Sequence, residues 1–211
     1  MRTEELIRLM AEDAPGVARL RPAVLSAMAG GAVFSALLLV LTLGLREDMA
    51  VMLFSPRVAF KLAATLLLAG LACRLALLAG RPGVALAREA RVLLLPALVL
   101  GAAVLTELAV LAPGVRMQSL IGAHAGFCLF FIPVLSAVPL AALLAMMRRG
   151  APENPAGAGA VAGLAAGSIA AAIYAWHFTD DSPLFVATWY LLAIALVASA
   201  GAAAGVRLLR W

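Results

Sequence analysis

The sequence predicts an all-α membrane protein of six transmembrane helices, and three observations carry that prediction. Of 211 residues, 65% are apolar and 13% charged, so there is too little polar surface to cover a water-soluble globule. The apolar residues gather into six runs of about 20 residues, the length an α-helix needs to cross a bilayer. The breaks between the runs hold charges and turn formers: Arg46-Glu47-Asp48, Arg81-Pro82-Gly83, Pro113-Gly114, Pro152-Glu153-Asn154-Pro155 and Thr179-Asp180-Asp181-Ser182-Pro183.

Residues 1–22 form a polar N-terminal tail in which Arg2, Arg8, Arg19 and Arg21 balance Glu4, Glu5, Glu12 and Asp13. Acids in the leading segment and a long apolar run after it argue against a cleaved signal peptide. Within the tail, Thr3 can cap a helix whose first turn carries Glu4 and Glu5, and Leu6, Leu9 and Met10 then share one stripe with Ile7 beside it. Such a segment is too short to be helical alone in water. It would order against a groove on a partner protein, lie as an interfacial helix on the lipid, or stay disordered, and the pattern alone does not choose among these.

The remainder, residues 23–211, reads as one six-helix transmembrane domain. Its spans run from Ala23 to Leu45, Val58 to Ala79, Val92 to Ala112, Ser119 to Met147, Ala156 to Trp176 and Leu184 to Val206. Eleven Arg residues fall on one side: four in the tail, then Arg81, Arg88, Arg91, Arg148, Arg149, Arg207 and Arg210. Only Arg46, Arg57 and Arg116 flank the other side. Because basic residues resist translocation, both termini are expected in the cytoplasm and the Asp180-Asp181 loop outside. Gly159, Gly163 and Gly167, then Gly201 and Gly205, and finally Gly122 and Gly126 stand at the spacing that lets helices approach closely in lipid. Pro133 and Pro139 are expected to bend the fourth span.

Several function classes drop out. The basic residues are scattered between apolar runs, so no surface for direct nucleic-acid binding forms. Metalloprotease, nucleophile-elbow, phosphate-loop and paired-aspartate motifs are missing, so neither an enzyme nor a cofactor is expected. Two cysteines, Cys73 and Cys128, are too few for a disulfide framework.

The ionisable residues inside the runs are the candidate sites, because charge in lipid is costly. Lys61 and Glu107 lie near the outer ends of the second and third spans and could form an ion pair, while Arg74 is expected to snorkel. His124 and Cys128, four apart, share a helix face, and His177 and Asp181 follow at the same side of the membrane. A soft metal ion or an oxidant could engage these four groups and the adjacent Asp180, and the four are the candidates for signal sensing. A small metal-ion transporter or metal-binding membrane protein using His124, Cys128 and His177 is the alternative reading, although transport sites ordinarily lie nearer the midplane.

The order of certain residues also resembles a known family. Leu45-Arg46-Glu47-Asp48, Ser55-Pro56, Phe60-Lys61 and Arg81-Pro82-Gly83 are similar to the first half of the NrsF family of bacterial six-span anti-sigma factors. Cys128, Pro133, Ala151-Pro152, Tyr174, His177, Asp181-Ser182, Phe185-Val186, Trp189-Tyr190 and the terminal Arg207-Leu208-Leu209-Arg210-Trp211 are similar to the second half. The resemblance implies an inner-membrane negative regulator of an extracytoplasmic-function sigma factor. It would hold the sigma factor through the tail and release it under heavy-metal or oxidative stress; the apolar stripe of Leu6, Ile7, Leu9 and Met10 supplies the expected contact residues. It also implies two signal-responsive cysteines, one at Cys128 and the other at the position that Phe178 occupies here.

Overall fold

The computed structural model describes Glu5 and residues 20–44, 54–81, 83–150 and 152–210. The tail stripe of Leu6, Ile7, Leu9 and Met10, the Arg46-Glu47-Asp48 break and the terminal Trp211 lie outside the described residues. Six helical passages are long and apolar enough to cross a membrane. They are α1 (Leu20–Thr42), α2 (Pro56–Ala79), α3 (Leu86–Val110), the pair α4 (Pro113–Ile121) and α5 (Ala125–Met147), then α6 (Pro155–Tyr174) and α7 (Pro183–Leu208). A 3-10 turn, Ala90–Leu93, lies within α3, and a π-turn, Val186–Tyr190, lies near the start of α7. Proline occupies the first turn of α2, α4, α6 and α7, where a missing N–H costs nothing and the fixed φ favours the helix. Helix α1 begins at Leu20, so the last three residues of the predicted tail are already helical.

The largest departure from expectation is in the fourth run. Ser119 to Met147 is not one helix: it breaks at Gly122, whose φ of 61° and ψ of −171° fall in a region open essentially to glycine alone. A Cβ there would also come within 2.5 Å of the Phe185 ring and 2.9 Å of Asp180. Gly122 therefore makes a turn, and Gly126 meets nothing within 4 Å, so this pair is not the helix-contact ridge expected of it.

The other two glycine ridges do bring helices together. Helix α6 lies at the centre of the bundle and packs along α7, and a Cβ on Gly159 or Gly163 would lie 2.2 Å or 2.4 Å from the carbonyl oxygens of Gly201 and Val197. The reverse holds for Gly201 and Gly205, which face the carbonyls of Gly159 and Pro155 at 2.4 Å. Backbone therefore touches backbone along this seam, the arrangement by which helices gain dispersion contact in lipid.

Helix α1 is held to α5 in another way. Pro139 has no N–H, so the Leu135 carbonyl one turn earlier loses its partner within the helix. The Ser35 hydroxyl of α1 donates to that oxygen at 2.7 Å, while Gly31 packs on the Pro139 ring.

Helix α3 is the outlier of the bundle. It buries only Pro96, Leu100 and Glu107, and two polar ties hold its ends. Arg74, expected to snorkel, instead pairs with Glu89 at 3.0 Å near the start of α3. Glu107 makes the other tie. The described ends of the chain lie together: Leu20 fits against Gly80 and Gly150, and Leu209 joins the cluster of Val24, Ala79, Met147 and Ala158.

Candidate functional site

Three consecutive residues of the α6–α7 loop, at the opposite end of the bundle, each bind a different helix. Asp180 accepts the backbone N–H groups of Ala123 and His124, at 3.1 Å and 2.9 Å, and lies 2.9 Å from His124 Nδ1. It thus sits at the start of α5, where a carboxylate satisfies free N–H groups and complements the helix dipole. Asp181 forms an ion pair with Lys61 of α2, whose ammonium also donates to the Phe178 carbonyl at 2.7 Å. The Lys61 side chain is completely buried, and a charge so placed is tolerable only with such partners. Ser182 donates to Glu107 of α3 at 2.7 Å, and the Leu184 N–H donates to the same carboxylate oxygen at 3.1 Å. Ser182 is the N-cap of α7 but makes no side-chain cap bond of its own. Glu107 supplies the acceptor in its place, from another helix.

The expected Lys61–Glu107 pair is therefore not the one formed. Each residue meets the loop: Lys61 pairs with Asp181, and the second Glu107 oxygen faces Arg57 at 3.3 Å. The Asp181-Ser182 segment supplies partners for both helices, so the two charges have no need of each other.

The predicted sensing residues share this end of the molecule without forming one ligand set. His124 is the N-cap residue of α5, and its ring contacts those of Phe127 and Phe178. His177 Nδ1 lies 3.0 Å from the Gly44 carbonyl; because a carbonyl can only accept, this nitrogen carries the proton. Cys128, one turn after His124, is fully buried in the apolar cluster that includes Ile132, Tyr174, Phe178 and Tyr190. Phe178 stacks on Tyr174 with ring centroids 4.1 Å apart. Cys73 belongs to the other apolar cluster, toward the opposite end of the bundle. Among the described residues no group of three or more His, Cys, Asp or Glu side chains is placed to hold a metal ion. The ligand path His124, Cys128 and His177 of the transporter reading is thus not assembled.

Sequence reasoning did not foresee the contacts of Asp180 with the start of α5, of Ser182 and Arg57 with Glu107, or the break at Gly122. The available signals were two adjacent acids followed by Ser-Pro, the acceptors and cap of a helix start, and a Gly-Ala-His step inside an apolar run.

The sequence that folds into this α-helical bundle is matched along nearly its whole length by known proteins. The family described as "Negative regulator of sigma F" (NrsF) matches residues 10–211. The chain belongs to the NrsF family. It is 32% identical over 213 residues to the "Probable anti-sigma-F factor NrsF" of Azospira oryzae, with 100% of each chain covered. It is 35% identical over 218 residues to the "Anti-sigma-F factor NrsF" of Caulobacter vibrioides, again with 100% of each covered. No solved structure matches it. NrsF membership makes the chain a negative regulator of a sigma factor, in a family that is regulatory rather than catalytic. Its helices make it a multi-pass membrane protein.

Proposed function

We propose that this NrsF-family chain is an inner-membrane anti-sigma factor that sequesters an extracytoplasmic-function sigma factor through residues 1–22 and releases it on heavy-metal or oxidative stress. The observation that carries this reading is similarity along the full chain to two proteins named as anti-sigma-F factors. The described ends of the bundle meet on the side of Gly80 and Gly150. Arg81, Arg148 and Arg149 adjoin these glycines, and basic residues favour the cytoplasmic face. On this reading both termini are cytoplasmic, the tail is within reach of a cytoplasmic sigma factor, and the hub around Asp180 and Asp181 faces outward.

Inhibition works by occupancy. Leu6, Ile7, Leu9 and Met10 bury their side chains on the sigma factor at roughly 1.5 to 3 kcal/mol each, reduced by the cost of ordering the tail. The sensing groups are His124, Cys128, His177 and Asp181, through the loop that binds α2, α3 and α5. The test is affinity capture of sigma factor by the detergent-solubilised chain. The double substitution Leu6→Asp and Leu9→Asp is expected to abolish capture, as is removal of residues 1–22, while the bundle stays folded. Undiminished capture by both variants refutes the tail contact.

A further inference from the structure

Two cavities lie one helical turn apart between α2 and α3, and together they outline a groove whose walls include one stripe of each helix. On α2 the stripe is Arg57, Phe60, Ala64 and Leu68, and on α3 it is Glu107, Ala103, Leu100 and Pro96. At the mouth, beside Arg57 and Glu107, the cavity is ≈ 320 Å³. Deeper, between Ala64, Leu68, Ala97 and Leu100, it is ≈ 90 Å³ and almost wholly apolar. Its floor is the stretch of α7 from Val186 to Ile194, which contains the π-turn. That π-turn and Pro96, in the first turn of the regular stretch Leu94–Val110, border the deep part. Along with the small side chains Ala64 and Ala97, they leave α3 standing off from its neighbours.

We propose that this groove holds one phospholipid of the bilayer leaflet on the Asp180-Asp181 side, with its phosphate at Arg57 and one acyl chain lying along α2 as far as Leu68. Length supports this occupant. From Arg57 to Leu68 the groove descends about 16 Å at 1.5 Å per residue, about half of the ~30 Å hydrocarbon core. One leaflet's acyl chain spans that depth. The deep part is too small for another helix, which is about 10 Å across, so a second copy of the bundle does not fill it.

Charge supports the same occupant. Arg57 sits in the first turn of α2 with its side chain 57% exposed, and Glu107 takes up only one of its nitrogens among the described contacts. A guanidinium has five N–H donors, enough to keep the Glu107 contact and also bind a phosphate. The mouth is thus polar on one side and opens onto a nearly dry channel below, as an amphiphile requires. The proposal needs only membrane insertion and is independent of any sigma factor.

The test places the full chain in phosphatidylcholine vesicles containing a phosphatidylglycerol with a diazirine midway along one acyl chain. After irradiation, cross-links are mapped by peptide mass spectrometry. Labelling is expected to concentrate on Ala64 of α2 and Leu100 of α3, above Leu98 and Leu105, which lie on α3 but face outward. Labelling that simply follows exposure, with Leu98 and Leu105 ahead, overturns the proposal. Ala103→Trp and, from the opposite wall, Ala64→Phe are each expected to remove the groove label. A folded form of either variant that keeps the label counts against the proposal. Arg57→Gln is expected to lower the phosphatidylglycerol retained through purification about fivefold, the equivalent of about 1 kcal/mol for one basic contact. Unchanged retention overturns the placement of the phosphate.

Discussion

The seam between α6 and α7 and the hub around Asp180, Asp181 and Ser182 hold helices together by opposite means. At the seam no charged side chain is involved, and the helices meet because four glycines let their backbones touch. At the hub the helices are linked by ion pairs and by hydrogen bonds to carboxylates, and α3 has little else: it buries three residues, one of them Glu107. The contrast shows that in lipid, where apolar side chains gain nothing by leaving the solvent, association requires either close fit or polar satisfaction. A helix with neither would drift.

Substitutions can separate the two mechanisms, and the hub should give the largest effect. Lys61→Ala leaves Asp181 without its buried cation, and losing one member of a buried pair costs about 3 to 5 kcal/mol. Equilibrium unfolding in mixed micelles is expected to show that loss, with protease sensitivity appearing first in the α6–α7 loop. If Lys61→Ala is as stable as the parent chain, the hub is ornamental. At the seam, Gly163→Ala adds one methyl group 2.4 Å from the Val197 carbonyl oxygen. The helices must separate, at a cost of about 1 to 3 kcal/mol. The same unfolding assay measures it, and the hub contacts are expected to survive. Gly101→Ala on α3 is the smallest change and has the opposite sign. Nothing lies within 4 Å of a Cβ there, so reduced backbone freedom in the unfolded chain should stabilise by about 0.4 to 1 kcal/mol. A destabilised Gly101→Ala would mean that α3 packs more tightly than its few buried residues indicate.

The seam was legible in the sequence and the hub only in part, for a physical reason. Glycine spacing is a local property of one helix, so Gly159, Gly163, Gly201 and Gly205 announce a contact face before any partner is known. The six spans were legible for the same reason, since apolar length is local; every helix starts earlier than its apolar run, at Pro56, Pro113, Pro155 and Pro183 because the proline joins the first turn, and at Leu20 and Leu86 without one. Ionisable residues reveal only that a partner is needed. Lys61 and Glu107 were matched to each other because both lie near one membrane face, but the partner of each is set by how a distant loop folds inward. Gly122 misled for a related reason: glycine serves both close approach and positive φ, and only the backbone path past Phe185 decides which.

The bond from Ser35 to the Leu135 carbonyl has a consequence for tolerance to change. An oxygen left vacant by the ring at 139 obliges position 35 to present a donor, so the two sites are not independent of each other. Ser35→Ala alone should weaken the bundle by about 0.6 kcal/mol, the usual worth of such a bond in a membrane. In a chain already carrying Pro139→Ala, where the restored amide occupies that oxygen, the same change should be silent. A proline that merely interrupted its own helix would leave the neighbour across from it free to vary; this one dictates what a residue 104 positions earlier must be.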